Sequence, residues 1–198
     1  RSRAEGNRNK ENSPDYRGAK DIISKPAFRK PIRSQRCLVI ADAFMEGTLQ
    51  HKFDEPYLVF LRNKQRPFAL AGIYDVWFDK KLGEEIRSFA IITTVANELI
   101  QQLPYDRQPV ILRQNDEKYW LHSNTPLSDI TAMLKPYQAN KMNAYRISPE
   151  IKNPKNNHKE LIQPIAKPVA EQDDVIVADK IKRQGMGRYK VKYRNEKD

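Results

Sequence analysis

Between Cys37 and Ile147 the chain is broken into short apolar runs, each of strand length and each bounded by polar residues. Cys37-Leu38-Val39-Ile40-Ala41 and Tyr57-Leu58-Val59-Phe60-Leu61 read as two strands. Asn63-Lys64 turns the chain into a third, long run from Phe68 to Trp77, in which Gly72 suggests a bulge. Ser88 to Thr94 is a fourth strand, and Val110-Ile111-Leu112 another. Helical signals are few. Thr94 is placed to cap a helix over 95–103, whose Val95, Leu99 and Leu103 define one buried face. Glu117 to Leu121 suggests a helical turn. Thr125 and Pro126 read as the N-cap and first residue of a helix ending before Pro136. Ala144-Tyr145-Arg146-Ile147 closes the core. Strands outnumber helices and do not alternate with them. The expected class is therefore α+β with a largely antiparallel, barrel-like sheet, not a doubly wound parallel one.

Length and composition set the limits. The chain has 198 residues, 39% hydrophobic and 31% charged, enough for one domain with a real core. A mean hydropathy of −0.80 is low for a compact domain and points to additional polar stretches. No apolar run approaches the roughly 20 residues needed to span a membrane. The single Cys37 precludes an internal disulfide and fits a reducing compartment, so a cytoplasmic monomer is expected.

The net charge of +11 is concentrated at the two ends. Residues 1–36 carry eleven Lys/Arg against four Asp/Glu, and residues 179–198 carry eight against three. The stretch between them is near neutral, with seventeen against eighteen. Such ends either neutralise phosphates or serve only as solvated, solubilising tails. Residues 6–21 read as a polar loop, residues 164–174 as a linker, and 175–198 as a basic extension. Within that extension, Tyr189-Lys190-Val191-Lys192-Tyr193 alternates apolar residues with lysines, as a strand with one basic face does, or a tail that orders on a partner.

Motifs that carry chemistry are sparse. There is no Gly-rich phosphate loop, no paired cysteine and no HExxH. His51, His122 and His158 are scattered among polar residues and read as surface groups, so neither metal nor cofactor is expected. Cys37 opens an apolar strand and reads as a small buried hydrophobe, not a nucleophile. Glu46, following a buried strand, is either a general acid or base held in a cleft or a carboxylate satisfied by a basic neighbour.

Several segments, in order, resemble one family. These are Lys25-Pro26-Ala27-Phe28-Arg29 followed by Arg36-Cys37-Leu38-Val39, then Ala41-Asp42-Ala43-Phe44-Met45-Glu46, then Phe68-Ala69-Leu70-Ala71-Gly72-Ile73-Tyr74. Next come Ile91-Ile92-Thr93-Thr94-Val95-Ala96-Asn97 and Asp106-Arg107-Gln108-Pro109-Val110-Ile111-Leu112. Leu134-Lys135-Pro136-Tyr137 and Ile147-Ser148-Pro149 complete the set. No single segment is specific, but their order and spacing over residues 1–163 resemble the SOS-response-associated peptidase (SRAP) family.

That resemblance implies binding of single-stranded DNA and crosslinking to abasic sites. In the family an N-terminal cysteine condenses with the abasic aldehyde to form a thiazolidine, after autoproteolysis of a short leader. Asparagine, glutamate and histidine side chains manage the proton transfers. Matched position by position, Glu46 keeps the glutamate, while Tyr105 stands at the histidine position. Arg3 and Arg107 keep phosphate-binding arginines, Thr94 keeps a threonine that approaches the DNA backbone, and Arg1 stands where the family has its asparagine. Gly47 replaces an aromatic, usually tryptophan, and Cys37 falls on a different, apolar family position. A tyrosine, with a pKa near 10, exchanges protons poorly near neutral pH where imidazole does so readily. Three functions are therefore open: an abasic-site crosslinker whose cysteine lies outside this chain, a catalytically weakened DNA-binding relative, and a protein–protein adaptor using the basic extension.

Overall fold

A computed structural model describes residues 19–48, 52–62, 67–103 and 105–170. Three short helical segments lead in: α1 (Ala19–Ser24), α2 (Pro26–Arg29) and α3 (Pro31–Ser34). Prolines at the first turns of α2 and α3 cost no helical hydrogen bond there, but they keep each helix short.

Among the described residues, eight strands form three antiparallel sheets. The first has the order β1 (Arg36–Ala41), β4 (Phe68–Asp79), β5 (Glu84–Ile91). The second has the order β2 (Phe44–Thr48), β3 (Lys52–Leu61), β8 (Met142–Arg146). The third pairs β6 (Thr93–Val95) with β7 (Arg107–Pro109). The α+β class and the antiparallel pairing agree with the sequence. The strands divide among separate sheets, and none of the three closes into a barrel.

Strand alternation builds two cores from the first sheet. Phe68 and Leu70 of β4, with Val39 and Ala41 of β1, face the second sheet and pack with Val59, Leu61, Met142 and Ala144. Ala71 and Ile73, with Leu38, face the other way and pack beneath the helices with Ile22, Ile32, Trp120 and Ile130. Trp120 belongs to α5 (Gln114–Leu121) and Ile130 to α6 (Leu127–Ala132). Trp120 is fully buried, and its Nε1 donates to the Cys37 carbonyl at 2.9 Å. Burying a side chain of that size stabilises the fold by roughly 1.5–3 kcal/mol.

Arg36 ties the helices to β1. It is 9% exposed and donates to the carbonyls of Trp120, Ile32, Arg33 and His122 at 2.5–2.9 Å. Desolvation holds its pKa below the usual arginine value. The guanidinium fork satisfies main-chain groups that would otherwise be buried without partners.

Several local expectations change. Gly72 is not a bulge, since the register runs unbroken through Cys37↔Gly72 and Gly72↔Ile91. The glycine is required by contact: a Cβ there would lie 2.8 Å from Cys37 Sγ. Thr94 does not cap a helix. It pairs with Gln108 in the β6–β7 ladder, and the helix α4 is confined to Glu98–Gln101. Asn97 is its N-cap, accepting from the Ile100 N–H at 3.0 Å. Val95 lies on β6 and is 43% exposed, while Leu99 and Leu103 are buried as expected. At α6 the N-cap is Pro126, and Thr125 donates its hydroxyl to the Tyr119 carbonyl at 2.7 Å. The pattern missed β2, and α5 begins earlier than the turn expected at Glu117.

Residues 165–170 run beside β8. Ile165 and Val169 donate backbone N–H groups to Arg146 and Ala144, and the buried Asn143 both donates to and accepts from Ala170. Residues 171–198, which include the basic alternating run, lie outside the described residues, as do Asn63-Lys64 and residues 1–18.

Candidate functional site

Glu46 sits on β2 opposite Tyr57 of β3. Directly opposed residues share a face, and so do residues two apart along a strand. Glu46 therefore faces the same way as Phe44 and Val59, toward the first core, which Tyr57 and Tyr105 also flank. The row continues onto β8, where Arg146 lies opposite Tyr57.

The ladder breaks just past this row. Glu46 pairs with Tyr57, but Thr48 pairs with Lys52, and the buried Pro56, which has no N–H to contribute, falls in the break. Gly47, where the resemblance leads one to expect an aromatic ring, stands buried at the break beside Glu46.

This setting pushes the Glu46 carboxyl up to about 7. Desolvation is the largest cause, and the charge of Asp106 adds to it. A hydrogen bond from the Gly47 backbone N–H opposes both. Near neutral pH the group is divided between acid and carboxylate, the condition in which one side chain can both give and take a proton. Among the described residues, the charged neighbour that acts on Glu46 is another acid, Asp106, rather than a basic group.

The second half of the site is the β6–β7 ribbon. Pairing sets Val95 against Arg107, Thr94 against Gln108 and Thr93 against Pro109. Alternation then sends Thr93 and Arg107 to one side, and Thr94 and Gln108 to the other. Arg107 reaches back along its side to Thr93. Nε donates to Oγ1 at 2.9 Å, and Nη2 donates to both Oγ1 and the carbonyl oxygen, the latter at 3.0 Å. The guanidinium is thus aimed by its neighbour while remaining only partly buried.

Thr94 and Gln108 occupy the inner side, at 4% and 1% exposure. Gln108 Oε1 accepts from the Asn97 N–H at 2.9 Å, and Asn97 Nδ2 donates to the Tyr137 carbonyl at 2.7 Å. Thr94, expected to approach the DNA backbone, has its side chain in this buried layer. Arg1 and Arg3 lie outside the described residues.

Cys37 is half-buried in β1, packed at Gly72, and desolvation raises its thiol pKa. A raised pKa disfavours the nucleophilic thiolate, so its chemistry matches the sequence reading of a small hydrophobe. No group of three or more potential metal ligands occurs among the described residues. No helix among them is long and apolar enough to cross a membrane.

The structure puts Glu46 within electrostatic reach of Asp106, which stands in sequence between Tyr105 and Arg107, and so adds two residues the sequence did not single out. Asp106 tunes Glu46, and Thr93 aims Arg107. Asp106 stood inside a recognised segment, but its effect depends on a fold contact that no spacing reveals. The choice of Thr93 over Thr94 follows once the β6–β7 register is known.

Comparison with known proteins shows the family and the fold. The family model described as SOS response associated peptidase (SRAP) matches residues 11–154. The chain belongs to that family. It is 40% identical over 147 residues to the abasic site processing protein YoqW of Bacillus subtilis, covering 73% of this chain and 64% of YoqW. It is 26% identical over 164 residues to the abasic site processing protein HMCES of Gallus gallus, covering 73% of this chain and 48% of that one. A crystal structure of a protein from Bacteroides thetaiotaomicron superimposes with a TM-score of 0.69 at 35% identity, covering 75% of this chain and 64% of that one. The chain thus spans just under two thirds of the length of these bacterial relatives.

Proposed function

We propose that this chain binds single-stranded DNA and recognises abasic sites, with Arg107 holding a phosphate and Glu46 exchanging protons at the lesion. The observation that carries this reading is the juxtaposition of a carboxyl poised near pH 7 with the segment that carries a guanidinium aimed by Thr93. An abasic sugar in its open form presents an aldehyde. Its capture by an amine expels water, and that step needs a proton delivered to the departing oxygen. A protonated Glu46 supplies it and is restored by the proton the amine gives up.

Crosslinking in the family's manner requires an N-terminal cysteine, a role in which Cys37 does not fit. The amine condenses with the aldehyde to an imine, and the thiol sulfur then adds to the imine carbon while its proton passes to nitrogen. The ring so formed is a thiazolidine. A second reading, a DNA-binding relative with weakened chemistry, is favoured by Tyr105 at the histidine position and Gly47 at the aromatic one.

One experiment tests both. The full-length protein is incubated with a single-stranded oligonucleotide bearing one abasic site and with its intact counterpart. A preference for the abasic strand together with an adduct stable to denaturation supports the crosslinking form. Preference without an adduct selects the weakened relative. Equal, weak, salt-insensitive binding of both strands overturns the proposal.

A further inference from the structure

A cleft of about 360 Å³ opens between the start of α5, the end of α6 and the loop that follows it. Three cations line it, Arg113, Lys135 and Lys141, and all three are exposed. Among the described residues none of them forms an ion pair. The two acids of the cleft have support of their own. Asp116 stands in the first turn of α5, where backbone N–H groups without helical partners favour a negative charge. Asp129 accepts from the Ser128 hydroxyl at 3.2 Å. Three like charges gathered on one cleft without counter-charges favour an anionic occupant.

The chain itself carries carboxylates toward this place. Along the outer edge of β8, Ile165 bonds to Arg146, Val169 to Ala144 and Ala170 to Asn143. That order is antiparallel, so at Ala170 the chain is travelling toward the turn Ala139–Lys141, which precedes β8. The ladder cannot carry it further. The Met142 N–H is donated to the Ala139 carbonyl, and the Met142 carbonyl accepts from Arg62 Nε at 3.1 Å. The next four residues are Glu171-Gln172-Asp173-Asp174, three of them acidic. Lys141 is two residues from Asn143, about 7 Å along the chain, and four extended residues reach up to about 14 Å. The other terminal stretches outside the described residues, 1–18 and 175–198, each carry more Lys/Arg than Asp/Glu. Direction, reach and charge thus single out residues 171–174.

We propose that Glu171, Asp173 and Asp174 dock in this cleft against Lys141, Lys135 and Arg113, clasping the start of the C-terminal extension to α5 and α6. The basic stretch 179–198 then begins beside those helices. A carbodiimide, which joins a carboxylate to a lysine amine in contact with it, tests this on the full chain, with the linked peptides identified by mass spectrometry. Links from residues 171–174 to Lys135 or Lys141 are expected. Their yield should exceed by about tenfold or more that of links to Lys81 and Lys155, exposed lysines outside the cleft. Arg113→Glu spares both reacting groups but reverses one charge of the cleft, and should cut the yield by about threefold or more. Arg113→Lys should keep it. A yield unchanged in Arg113→Glu would reduce the links to mere nearness along the chain and overturn the proposal. Links spread evenly over all four lysines overturn it too. So do links that, in a mixture of light and nitrogen-15-labelled chain, mainly join one to the other, which would make a second copy the occupant. Absence of links, with Lys135 and Lys141 shielded from acylation only when a single-stranded oligonucleotide is added, would give the cleft to nucleic acid instead.

Discussion

The charge of Asp106, in the bend before β7, reaches the carboxyl of Glu46 on β2 and helps hold it protonated. Desolvation is the larger cause. Asp106→Asn should therefore lower the Glu46 pKa from about 7 without returning it to the ordinary value of 4.5. A carbon-detected NMR titration of the Glu46 carboxyl reads this directly. A return all the way to 4.5 would show that burial contributes little.

Glu46 also makes stability depend on pH. Its folded pKa lies above its unfolded one, so the folded chain binds more protons between about 4.5 and 7. Stability falls as pH rises through that window, and the loss persists above it. Glu46→Gln removes the penalty. It should leave stability unchanged near pH 4 and raise it by roughly 1–2 kcal/mol at pH 8, allowing for partial solvent screening. Urea denaturation at the two pH values checks the difference. A variant equally stabilised or destabilised at both would break the link to ionisation.

Arg107→Ala should weaken binding to a single-stranded oligonucleotide and reduce the slope of log affinity against log salt by about 0.7, the share of one phosphate. Thr93→Val keeps the cation but removes the hydroxyl that aims it. It should lower affinity by about threefold to tenfold, a hydrogen bond's worth, and leave the slope intact. Fluorescence anisotropy across a salt series separates the two outcomes.

Gly72→Ala should destabilise the chain by about 1–3 kcal/mol, because the added methyl meets Cys37 Sγ in a packed sheet. Cys37→Ala in the same chain should recover part of that loss. Val39 Cγ2 at 3.1 Å and the Cys37 carbonyl at 3.3 Å remain in the way. A double-mutant cycle by thermal unfolding measures the coupling. Additive losses would mean that the sulfur is not the obstacle.

The strands that fill the two cores were legible because their apolar residues had to be buried, and burial leaves a pattern. β2 was not. Phe44-Met45-Glu46-Gly47-Thr48 has two apolar residues and a glycine, and it becomes a strand only because β3 offers a ladder. Thr94 looked like a cap by residue type, yet the chance to pair with Gln108 outweighed that local preference. Within the site, Glu46 and Arg107 were found because recognisable segments surround them. Asp106 and Thr93 act through pairings between distant parts of the chain, and single-residue pattern carries no trace of those.

Arg107 and Gln108 are neighbours on β7 with side chains sent to opposite sides. A DNA strand gripped at Arg107, as proposed above, would pull on Gln108 through the shared backbone. Gln108 is bonded to Asn97, which starts α4 and holds the Tyr137 carbonyl. Tension on such a strand would be shared among a ladder, a helix start and a distant loop. An anchorage of that kind would suit the proposed role of holding a nucleic acid.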